Sequence, residues 1–275
     1  MDKLIKRANQ LASESAKPIY PIPKRIAYVV SHGQSYASNG YAIRTHSIAR
    51  SLNEHGLETL CIVRPGRPWE LGEGQADTPP EVQLDGVRYI HSRWSVVPES
   101  SKQRLEFSVE RYVELFRVYR PSAVLAASNY IVGLPAWVAA KRLGIPFYNE
   151  VRGFWELSRS AKDLNYENSD GFKAESERDT FVAQQARKVF TLNQPMEDEL
   201  VRRGVAREQI KIVPHGLVTL PVVKPVDASL KKRLGISQGD KVVGFVGSLT
   251  AYEGLELLLE ACEELVQQGE KLKLL

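Results

Sequence analysis

The sequence predicts an α/β protein, in which a parallel sheet flanked by helices is followed by the beginning of a second domain of the same kind. Short apolar runs alternate with longer amphipathic segments from Arg25 onward, which is the pattern of repeated βαβ units. The run Pro221-Val-Val-Lys-Pro225 interrupts this pattern. Because two prolines so close together resist both helix and central strand, we predict an interdomain linker there.

The alternation assigns the elements of the first domain in order. The predicted strands are Ile26–Val30, Glu58–Val63, Val87–His91, Ala123–Ala127, Pro146–Glu150, Lys188–Leu192 and Ile210–Val213. The clearest predicted helices are Tyr41–Glu54, Lys102–Tyr119, Leu134–Arg142, Lys173–Ala186 and Pro195–Arg203. Two segments do not follow the alternation, Pro65–Pro80 and Gly153–Asp170, and we expect both to be loops at the working edge of the sheet.

A second βα unit begins after the linker. Its predicted elements are a short helix ending at Lys231–Leu234, a strand at Lys241–Val246, a helix at Glu253–Gln268 and the first residues of a strand at Lys271–Leu275. One strand with its helix is well short of the roughly 100 residues of an independent domain. We therefore divide the chain into a lead-in (1–24), a first domain (25–219) and the incomplete start of a second domain (220–275).

Composition excludes several classes of protein. The chain has 275 residues, 43% of them hydrophobic, and a formal net charge of +4, so we expect a folded protein that does not bind nucleic acid. Its apolar runs are too short to cross a bilayer, and its start lacks a signal-peptide core. Cys61 and Cys262 are too few for a disulfide framework or a zinc site. These features favour a soluble cytoplasmic protein.

Residues 3–25 carry several basic side chains, with apolar residues between the first of them. The basic residues are Lys3, Lys6, Arg7, Lys17, Lys24 and Arg25, and the apolar ones are Leu4, Ile5, Ala8, Leu11 and Ala12. Two interpretations stay open: a short helix lying on a membrane surface, or a plain solvated lead-in. The first would place the protein at the inner face of the membrane through peripheral contact.

The loop Ser31–Gly40 joins the first predicted strand to the helix that begins at Tyr41. Ligands of open parallel sheets bind at the carboxyl ends of the strands, and a helix N-terminus offers free N–H groups to an anion or a sugar hydroxyl. We therefore assign Asn39, Gly40 and His46 to a binding crevice. The alternative is an ordinary turn in which Asn39 and Gly40 cap the helix and His46 only packs. The dinucleotide fingerprint G-x-G-x-x-G is missing, which speaks against an NAD enzyme.

The segment Tyr148–Glu156 is the strongest site signal in the first domain. Two carboxylates, a guanidinium and an indole follow directly on a strand that is expected to be buried, a costly arrangement if it only caps a sheet. The residues that we predict to contact ligand are Glu150, Arg152, Gly153, Trp155 and Glu156. The alternative is a local Glu–Arg ion pair that ties the loop down.

Two further segments flank the linker. In Ile212–Leu217, we expect Gly216 to adopt a positive φ and His215 to face the cleft between domains; a turn histidine without function is the alternative. In Val243–Leu255, a strand, a loop with Gly247 and Ser248, and a helix opening near Glu253 would offer a positive helix end to a diphosphate. Many α/β proteins contain such a unit, but its position after the linker makes it more specific.

In this order, the four segments resemble family 4 of the retaining GT-B glycosyltransferases, over nearly the whole chain from Lys24 onward. The resemblance rests on Asn39-Gly40 with Arg44-Thr-His46, on Val213-Pro-His-Gly-Leu217, and on Val246-Gly-Ser-Leu-Thr-Ala-Tyr-Glu-Gly254. The Glu150–Glu156 run resembles a subgroup associated with surface-polysaccharide and lipopolysaccharide assembly. Arg and Lys often occupy the positions of Ser248 and Glu253 in this family, so the sequence departs from the family pattern there.

The resemblance implies a Rossmann-like GT-B N-terminal domain on the acceptor side, followed by the beginning of a second Rossmann-like domain that binds the donor. It implies a nucleotide sugar as donor, with a UDP- or GDP-sugar favoured, and a glycan or lipid-linked acceptor. It places Arg152 and Glu150 near the reacting centre as catalytic residues. It also assigns Asn39, Gly40, His46, Gly153, Trp155 and Glu156 to the acceptor, and His215, Gly216, Gly247, Ser248 and Glu253 to the donor.

We expect neither a metal nor another cofactor. No two aspartates stand two residues apart, so an Asp-x-Asp metal site is not available, and helix N-termini, backbone N–H groups and cationic side chains would meet the charge of the leaving diphosphate. Two other classes stay open. The chain could be a truncated, catalytically silent protein that binds a glycan or glycolipid, or a nucleotide-sugar epimerase of similar fold.

Overall fold

The computed structural model describes residues 1–72, 77–163, 165–216, 220–247, 249 and 253–275. The chain forms two compact units. Unit 1 comprises Met1–Glu156 and Asn168–Gly216, and unit 2 comprises Leu157–Glu167 and Leu217–Leu275. The predicted boundary at 219 thus lies close to the point where the chain leaves unit 1, while the short segment 157–167 groups with unit 2 and not with its sequence neighbours.

Within the described residues, unit 1 contains an eight-stranded sheet in the order β3-β4-β2-β1-β5-β6-β7-β8. The strands are β1 (Arg25–Val30), β2 (Glu58–Val63), β3 (Glu81–Leu84), β4 (Val87–Ile90), β5 (Ala123–Ala127), β6 (Phe147–Glu150), β7 (Val189–Thr191) and β8 (Ile210–Ile212). All neighbours pair in parallel except β3 with β4. The predicted α/β class with a mostly parallel sheet is confirmed.

Helices connect these strands. Those of unit 1 are α1 (Lys3–Ser13), α2 (Gly40–Glu54), α3 (Ser101–Tyr119), α4 (Tyr130–Leu143), α6 (Asp170–Gln185) and α7 (Gln194–Arg202), and α5 (Trp155–Ser160) passes from unit 1 into unit 2. Side chains of β1 alternate between two apolar clusters, with Ala27 and Val29 in one and Tyr28 and Val30 in the other. This is the double burial expected of a central parallel strand.

Three elements differ from the sequence prediction. The antiparallel strand β3 was missed; it joins β4 through Asp85-Gly86, whose φ angles are both positive at 46° and 78°, as a two-residue hairpin turn requires. Helix α5 lies in the segment Gly153–Asp170, which was expected to be a loop. The predicted strand Lys241–Val246 ends at Val243.

Helix α1 packs on unit 1. Its apolar residues Leu4, Ile5, Ala8, Leu11 and Ala12 are buried, and the helix contacts α3, α4 and α6. Asp2 caps it and forms an ion pair with Arg178, with 2.8 Å between Oδ2 and Nη2. Because this face is covered by the protein itself, it is not available to lie on a membrane surface. No helix among the described residues is both long and apolar enough to cross a bilayer.

Unit 2 has the beginning of the same architecture. Its elements outside the segment 157–167 are α8 (Ala228–Arg233), β9 (Lys241–Val243), α9 (Leu255–Gln267) and β10 (Leu272–Leu274). The two strands pair in parallel, with Lys241 opposite Leu272, and α9 forms the crossover between them. This is one βαβ unit, as the sequence after the linker predicts.

Candidate functional site

Glu150 and Arg152 form the centre of a buried polar network at the carboxyl end of β6. Glu150 is 3% exposed and Arg152 is 8% exposed. The Oε2 atom of Glu150 accepts a hydrogen bond from Arg152 Nη2 at 2.8 Å and a second from the hydroxyl of Tyr28. Its Oε1 accepts from Arg44 Nε at 2.9 Å. One carboxylate therefore receives two guanidinium groups and a phenol.

These partners determine the ionisation state of the Glu150 carboxylate. Burial alone would raise the pKa of Glu150, but the Arg152 and Arg44 guanidinium groups and the Tyr28 hydroxyl hold that pKa below its ordinary value. Glu150 is therefore ionised at neutral pH. Its contribution to folding stability is present above the ordinary pKa of a glutamate and is lost as the pH falls through its lowered value.

Arg152 ties the loop after β6 to helix α2 and to strand β5. Its Nη1 donates to the Tyr41 carbonyl at 3.0 Å and to Thr45 Oγ1 at 2.9 Å, and its backbone N–H donates to Ser128 Oγ at 2.7 Å. The ion pair that sequence analysis left as the alternative is thus present, and it is part of a larger network. The assignment of Arg152 and Glu150 as catalytic residues remains a prediction.

Arg44 connects this network to His215. Its Nη1 lies 3.1 Å from His215 Nδ1, and its Nη2 donates to the Val213 carbonyl at 3.1 Å. A guanidinium has no acceptor, so His215 Nδ1 must accept, and the neutral ring then carries its proton on Nε2. Partial burial of the ring and the nearby Arg44 and Arg152 guanidinium groups lower the pKa of His215. His215 therefore presents a neutral imidazole whose Nε2–H is a hydrogen-bond donor.

A small pocket opens beside the network. It lies at the carboxyl ends of β1 and β5, where ligands of open parallel sheets bind. The residues lining it are Val30, Ser31, His32, Tyr41, Thr45, Ala127, Ser128, Arg152 and Trp155. Trp155, 36% exposed, stacks on Tyr41 with ring centroids 5.5 Å apart. An aromatic surface bordered by hydroxyl groups can pack against the apolar face of a sugar ring while the hydroxyls bind its polar edge.

The other residues predicted on the loop after β1 and on α2 lie apart from the network. Asn39 is the N-cap of α2, and its side chain accepts from Ala42 N at 3.0 Å; Gly40 is the first helical residue. His46 packs against the β3–β4 hairpin, with Nδ1 2.8 Å from the Tyr89 hydroxyl and Nε2 3.5 Å from Asp85 Oδ2. It is not among the residues that line the pocket. Burial lowers the pKa of His46 against the opposing effect of Asp85.

Gly153 and Glu156, two of the predicted site residues after Arg152, lie in different surroundings. A Cβ on Gly153 would lie 3.8 Å from the Tyr41 hydroxyl, so this residue lies close to Tyr41, although it does not line the pocket. Glu156 is completely buried and lies 2.5 Å from Arg203 Nη1. Beside it, burial and the Glu156 charge raise the pKa of Asp179 to about 8, although the hydrogen bond from Tyr130 N opposes the shift. Glu156 therefore belongs to an internal charge cluster.

The predicted donor residues fall in both units. Gly216, in unit 1, does not have a positive φ, so that expectation is wrong and the turn does not depend on a glycine there. In unit 2, a Cβ on Gly247 would meet the ring of Phe245 at 2.9 Å. Glu253 is exposed and precedes Gly254, the N-cap of α9. Ser248 lies outside the described residues. All donor assignments stay predictions.

Sequence reasoning did not place several residues of this site. Tyr41, Arg44 and Thr45 share one face of α2, because residues three and four apart on a helix are neighbours. His32 and Ser128 follow strands β1 and β5. The helical spacing could have identified the face of α2 once the orientation of the helix on the sheet was known, but nothing in the sequence sets that orientation.

Comparison with known proteins identifies the class. Residues 39–216 match the family described as the glycosyl transferase 4-like domain, a segment that includes the buried network except Tyr28 and most of the pocket. The chain therefore belongs to this family, and the resemblance found in the sequence is confirmed.

Individual relatives are more distant. The D-inositol 3-phosphate glycosyltransferase of Nocardiopsis dassonvillei is 24% identical over 279 residues, covering 92% of this chain and 60% of that protein. The crystal structure of HepE from Anabaena in complex with UDP and glucose has a TM-score of 0.63 at 15% identity, covering 90% of this chain and 59% of that one. A putative UDP-N-acetylglucosamine 2-epimerase from Listeria monocytogenes has a TM-score of 0.54 at 13% identity, covering 92% and 62%.

These similarities show the fold. The Anabaena and Listeria structures share it, although their names describe different proteins. The chain spans about three fifths of the length of the curated glycosyltransferase that it matches. Family membership is therefore established, while the reaction of the whole protein is inferred below.

Proposed function

We propose that this protein is a glycosyltransferase that moves a sugar, with retention of anomeric configuration, from a nucleotide sugar to a glycan or lipid-linked acceptor in surface polysaccharide or lipopolysaccharide biosynthesis. The observation that carries the proposal is the match of residues 39–216 to a glycosyltransferase family. The bound UDP and glucose of the Anabaena neighbour make UDP-sugars the first donors to test.

In this proposal the pocket of unit 1 holds the acceptor. Tyr41 and Trp155 would pack against a sugar ring, and Ser128 and His32, which line the same pocket, would bind its hydroxyl groups. Arg152 and Glu150 would set the electrostatic potential at the wall of the pocket. With the geometry described above, they would act by holding α2 and the loop after β6 in fixed positions, so that the acceptor is oriented before the reaction.

The donor diphosphate gains negative charge as the bond to the anomeric carbon breaks, and fixed hydrogen-bond donors stabilise such charge by several kcal/mol in a dry site. His215 offers its Nε2–H group. By resemblance to the family, Gly216, Gly247, Ser248 and Glu253 belong to the donor site. We further propose that no metal takes part, so that activity persists in EDTA.

The proposal is tested by incubating the protein with UDP-, GDP- and ADP-sugars, with and without a panel of oligosaccharide and glycolipid acceptors, and measuring nucleotide release. Release that depends on an acceptor, with the sugar recovered on it, is the expected result. Because the chain spans part of its relatives' length, the same assay is run on a fusion that supplies a complete donor domain. The absence of transfer in both proteins would refute the proposal.

The same assay separates the two alternatives. A catalytically silent glycan-binding protein releases no nucleotide but binds acceptors. A nucleotide-sugar epimerase, the name carried by the Listeria neighbour, interconverts sugars without needing an acceptor. The sugar nucleotides recovered after incubation are therefore analysed by chromatography as well as by nucleotide release.

A further inference from the structure

A group of arginines lies beside the acceptor pocket and has no role in the network around Glu150. Arg64 and Arg67 belong to the loop after β2, and Arg104 comes from α3. This loop is held in place, because Arg64 N donates to the Val30 carbonyl and Gly66 N donates to the Ser92 carbonyl, both at 2.8 Å. It thus joins the carboxyl ends of β1, β2 and β4. We call Arg64, Arg67, Arg104 and the carboxylate of Glu70 the arginine cluster.

Glu70 is fully occupied within this cluster. Its Oε2 accepts from Arg64 Nη2 at 2.9 Å, and its Oε1 accepts from Arg104 Nη1 and from the indole of Trp94, both at 2.8 Å. Arg67 Nε is 3.7 Å from Oε2, too far for a hydrogen bond. Three guanidinium groups against one carboxylate leave the described members of the cluster with a net charge of +2.

Arg67 is the member whose side chain forms no hydrogen bond with the described residues. Its Nε and Nη1 atoms are buried and have no acceptor among those residues, although 19% of the side chain is exposed. Two more buried polar atoms of the adjoining loops, Trp69 Nε1 and Ser92 Oγ, also have no partner in the part of the chain that the structure describes. A buried guanidinium with free N–H groups is unfavourable unless an anion completes it.

The position of the arginine cluster indicates which kind of anion it would bind. Val30 and His32 line the acceptor pocket, and Arg64 N donates to the Val30 carbonyl at 2.8 Å, so the loop after β2 is joined to the pocket wall. Burial together with the nearby Arg67 and Arg64 charges also lowers the pKa of His32. An anionic substituent on a sugar in the pocket would therefore meet a positive potential on this side. The N–H groups of an arginine donate charge-assisted hydrogen bonds to the oxygens of a phosphate or a carboxylate.

We propose that the arginine cluster binds an oxyanion carried by the acceptor, so that the acceptor is a phosphorylated or carboxylated sugar and not a neutral one. This inference rests on the proposed glycosyltransferase function. Arg67 supplies the N–H groups of Nε and Nη1, and Arg64 and Arg104, held by Glu70, supply the surrounding positive potential.

The first experiment measures anion binding by the 275-residue chain without any donor. Inorganic phosphate is titrated at constant ionic strength, with sodium chloride as the blank, and the arginine Nε–H signals are followed by NMR together with the melting temperature. We expect a saturable shift of the Arg67 Nε–H signal and a rise in melting temperature. The Arg67→Gln variant should bind phosphate at least about tenfold more weakly.

Two variants serve as controls. Arg50→Gln removes the same charge from an exposed position of α2, where Arg50 pairs with Glu54, and should bind phosphate like the wild type. Arg67→Lys keeps the charge but loses the Nε–H and Nη1–H groups, and should bind with intermediate strength. Equal weakening by Arg50→Gln and Arg67→Gln, or a shift that does not saturate, would overturn the proposal.

The second experiment separates an acceptor site from a site for free phosphate. Hexose 6-phosphates, hexuronates and the parent hexoses are compared with inorganic phosphate. We expect at least one anionic sugar to bind more tightly than both its parent hexose and phosphate, and to shift the Trp155 indole signal together with that of Arg67. If inorganic phosphate binds as tightly as every anionic sugar, the acceptor assignment fails.

These results are independent of catalysis. Anion binding without any transfer would count against the glycosyltransferase function and leave the anion site in place. Efficient transfer to neutral acceptors, with no binding of phosphate by the chain, would remove the anion site and leave the function.

Discussion

Two groups of arginines lie at the same edge of one sheet, and they differ in how many of their N–H donors form hydrogen bonds. Around Glu150, the Nε, Nη1 and Nη2 atoms of Arg44 all have partners, and Arg152 forms side-chain hydrogen bonds through Nη1 and Nη2, leaving its buried Nε without one. In the arginine cluster, Glu70 accepts one hydrogen bond each from Arg64 and Arg104, while Nε and Nη1 of Arg67 have no acceptor in the described part of the chain.

This difference corresponds to two roles of a buried arginine, a structural one and a ligand-binding one. A guanidinium whose donors are satisfied by carbonyls and carboxylates of its own fold holds loops together, and removing it leaves the opposite charge uncompensated. A guanidinium with free donors adds little to stability in the absence of a ligand. The number of satisfied donors thus distinguishes a positioning arginine from a ligand-binding one when the residue type and the location are the same.

The largest expected effect is that of Arg152→Ala. It leaves Glu150 buried with less compensation and should lower the free energy of unfolding by about 3–5 kcal/mol, as measured by urea denaturation. It should also abolish transfer, because the loop after β6 loses its contacts with α2. Arg50→Ala, at an exposed pair, is the control and should change stability by less than about 1 kcal/mol.

A double substitution sharpens this result. Arg152→Ala combined with Glu150→Gln should be less destabilising than Arg152→Ala alone, since the carboxylate that has lost one of its two guanidinium partners becomes neutral, while Arg44 keeps its contacts with His215 and the Val213 carbonyl. If the single variant is as stable and as active as the wild type, Arg152 is neither a positioning nor a catalytic residue.

The next effect contrasts Arg64 with Arg67. Arg64→Gln breaks a hydrogen bond to an ionised carboxylate and should lower the free energy of unfolding by about 1.5–3 kcal/mol. Arg67→Gln removes unsatisfied donors and should leave stability unchanged or raise it when no anion is present. The measurement is thermal unfolding in phosphate-free buffer. Equal destabilisation by both variants would erase the distinction between the two arginines.

A smaller effect is expected at the aromatic wall of the pocket. Trp155→Ala removes the exposed face of the Tyr41–Trp155 pair and should weaken acceptor binding by about 0.5–1.5 kcal/mol, roughly two- to tenfold, beyond the lost contact area. Isothermal titration with the acceptor found in the transfer assay measures this change. Tyr20→Ala, which removes an aromatic ring that is 89% exposed and does not line the pocket, should leave the affinity as it is.

The smallest effect concerns protonation. In the wild type, NMR of the His215 ring should show the proton on Nε2 and a titration midpoint below the ordinary pKa of histidine, since the ring is partly buried and Arg44 and Arg152 are close. Arg44→Met should raise that titration midpoint and allow the ring proton to occupy Nδ1 as well as Nε2. A lowered pKa means that the folded state binds fewer protons, so this residue's contribution to stability is present above the ordinary pKa of histidine and is lost as the pH falls through the lowered value.

An Nδ1-protonated ring in the wild type would contradict the hydrogen bond to Arg44. So would a titration midpoint that Arg44→Met leaves unchanged. Either result would place His215 outside the network, and its proposed contact with the donor would then need a different geometry.

Much of the framework follows from local sequence. Strands β1, β2 and β5 are short, continuous apolar runs between polar segments, and their predicted bounds agree with the structure to within one residue. The segment after β6 also stood out, because charged and aromatic residues followed a buried strand. Strand β3 was missed because Glu81–Leu84 is only four residues long and lies at the edge of the sheet. Its residues are exposed or half-buried, so it lacks the continuous apolar run of the central strands, and it pairs with β4 through a hairpin.

Helix α1 shows the limit of a local pattern. Its apolar stripe was visible in the sequence, but a stripe is equally suited to a membrane surface or to the protein's own core. Packing on α3, α4 and α6 decided the outcome. The sequence likewise drew attention to His46, whereas the structure turns Arg44 toward Glu150 and His46 toward Tyr89, because successive residues of a helix point about 100° apart.

By itself, the sequence determined the α/β class, the order of the strands along the chain and the loops that end at their carboxyl edge, because these depend on the periodicity of neighbouring residues. Tertiary structure alone decided which charges meet. Arg44 and Glu150 are 106 residues apart, and Arg44 and His215 are 171 apart. Only the strand order of the sheet and the rotation of α2 against it bring those side chains within hydrogen-bonding distance.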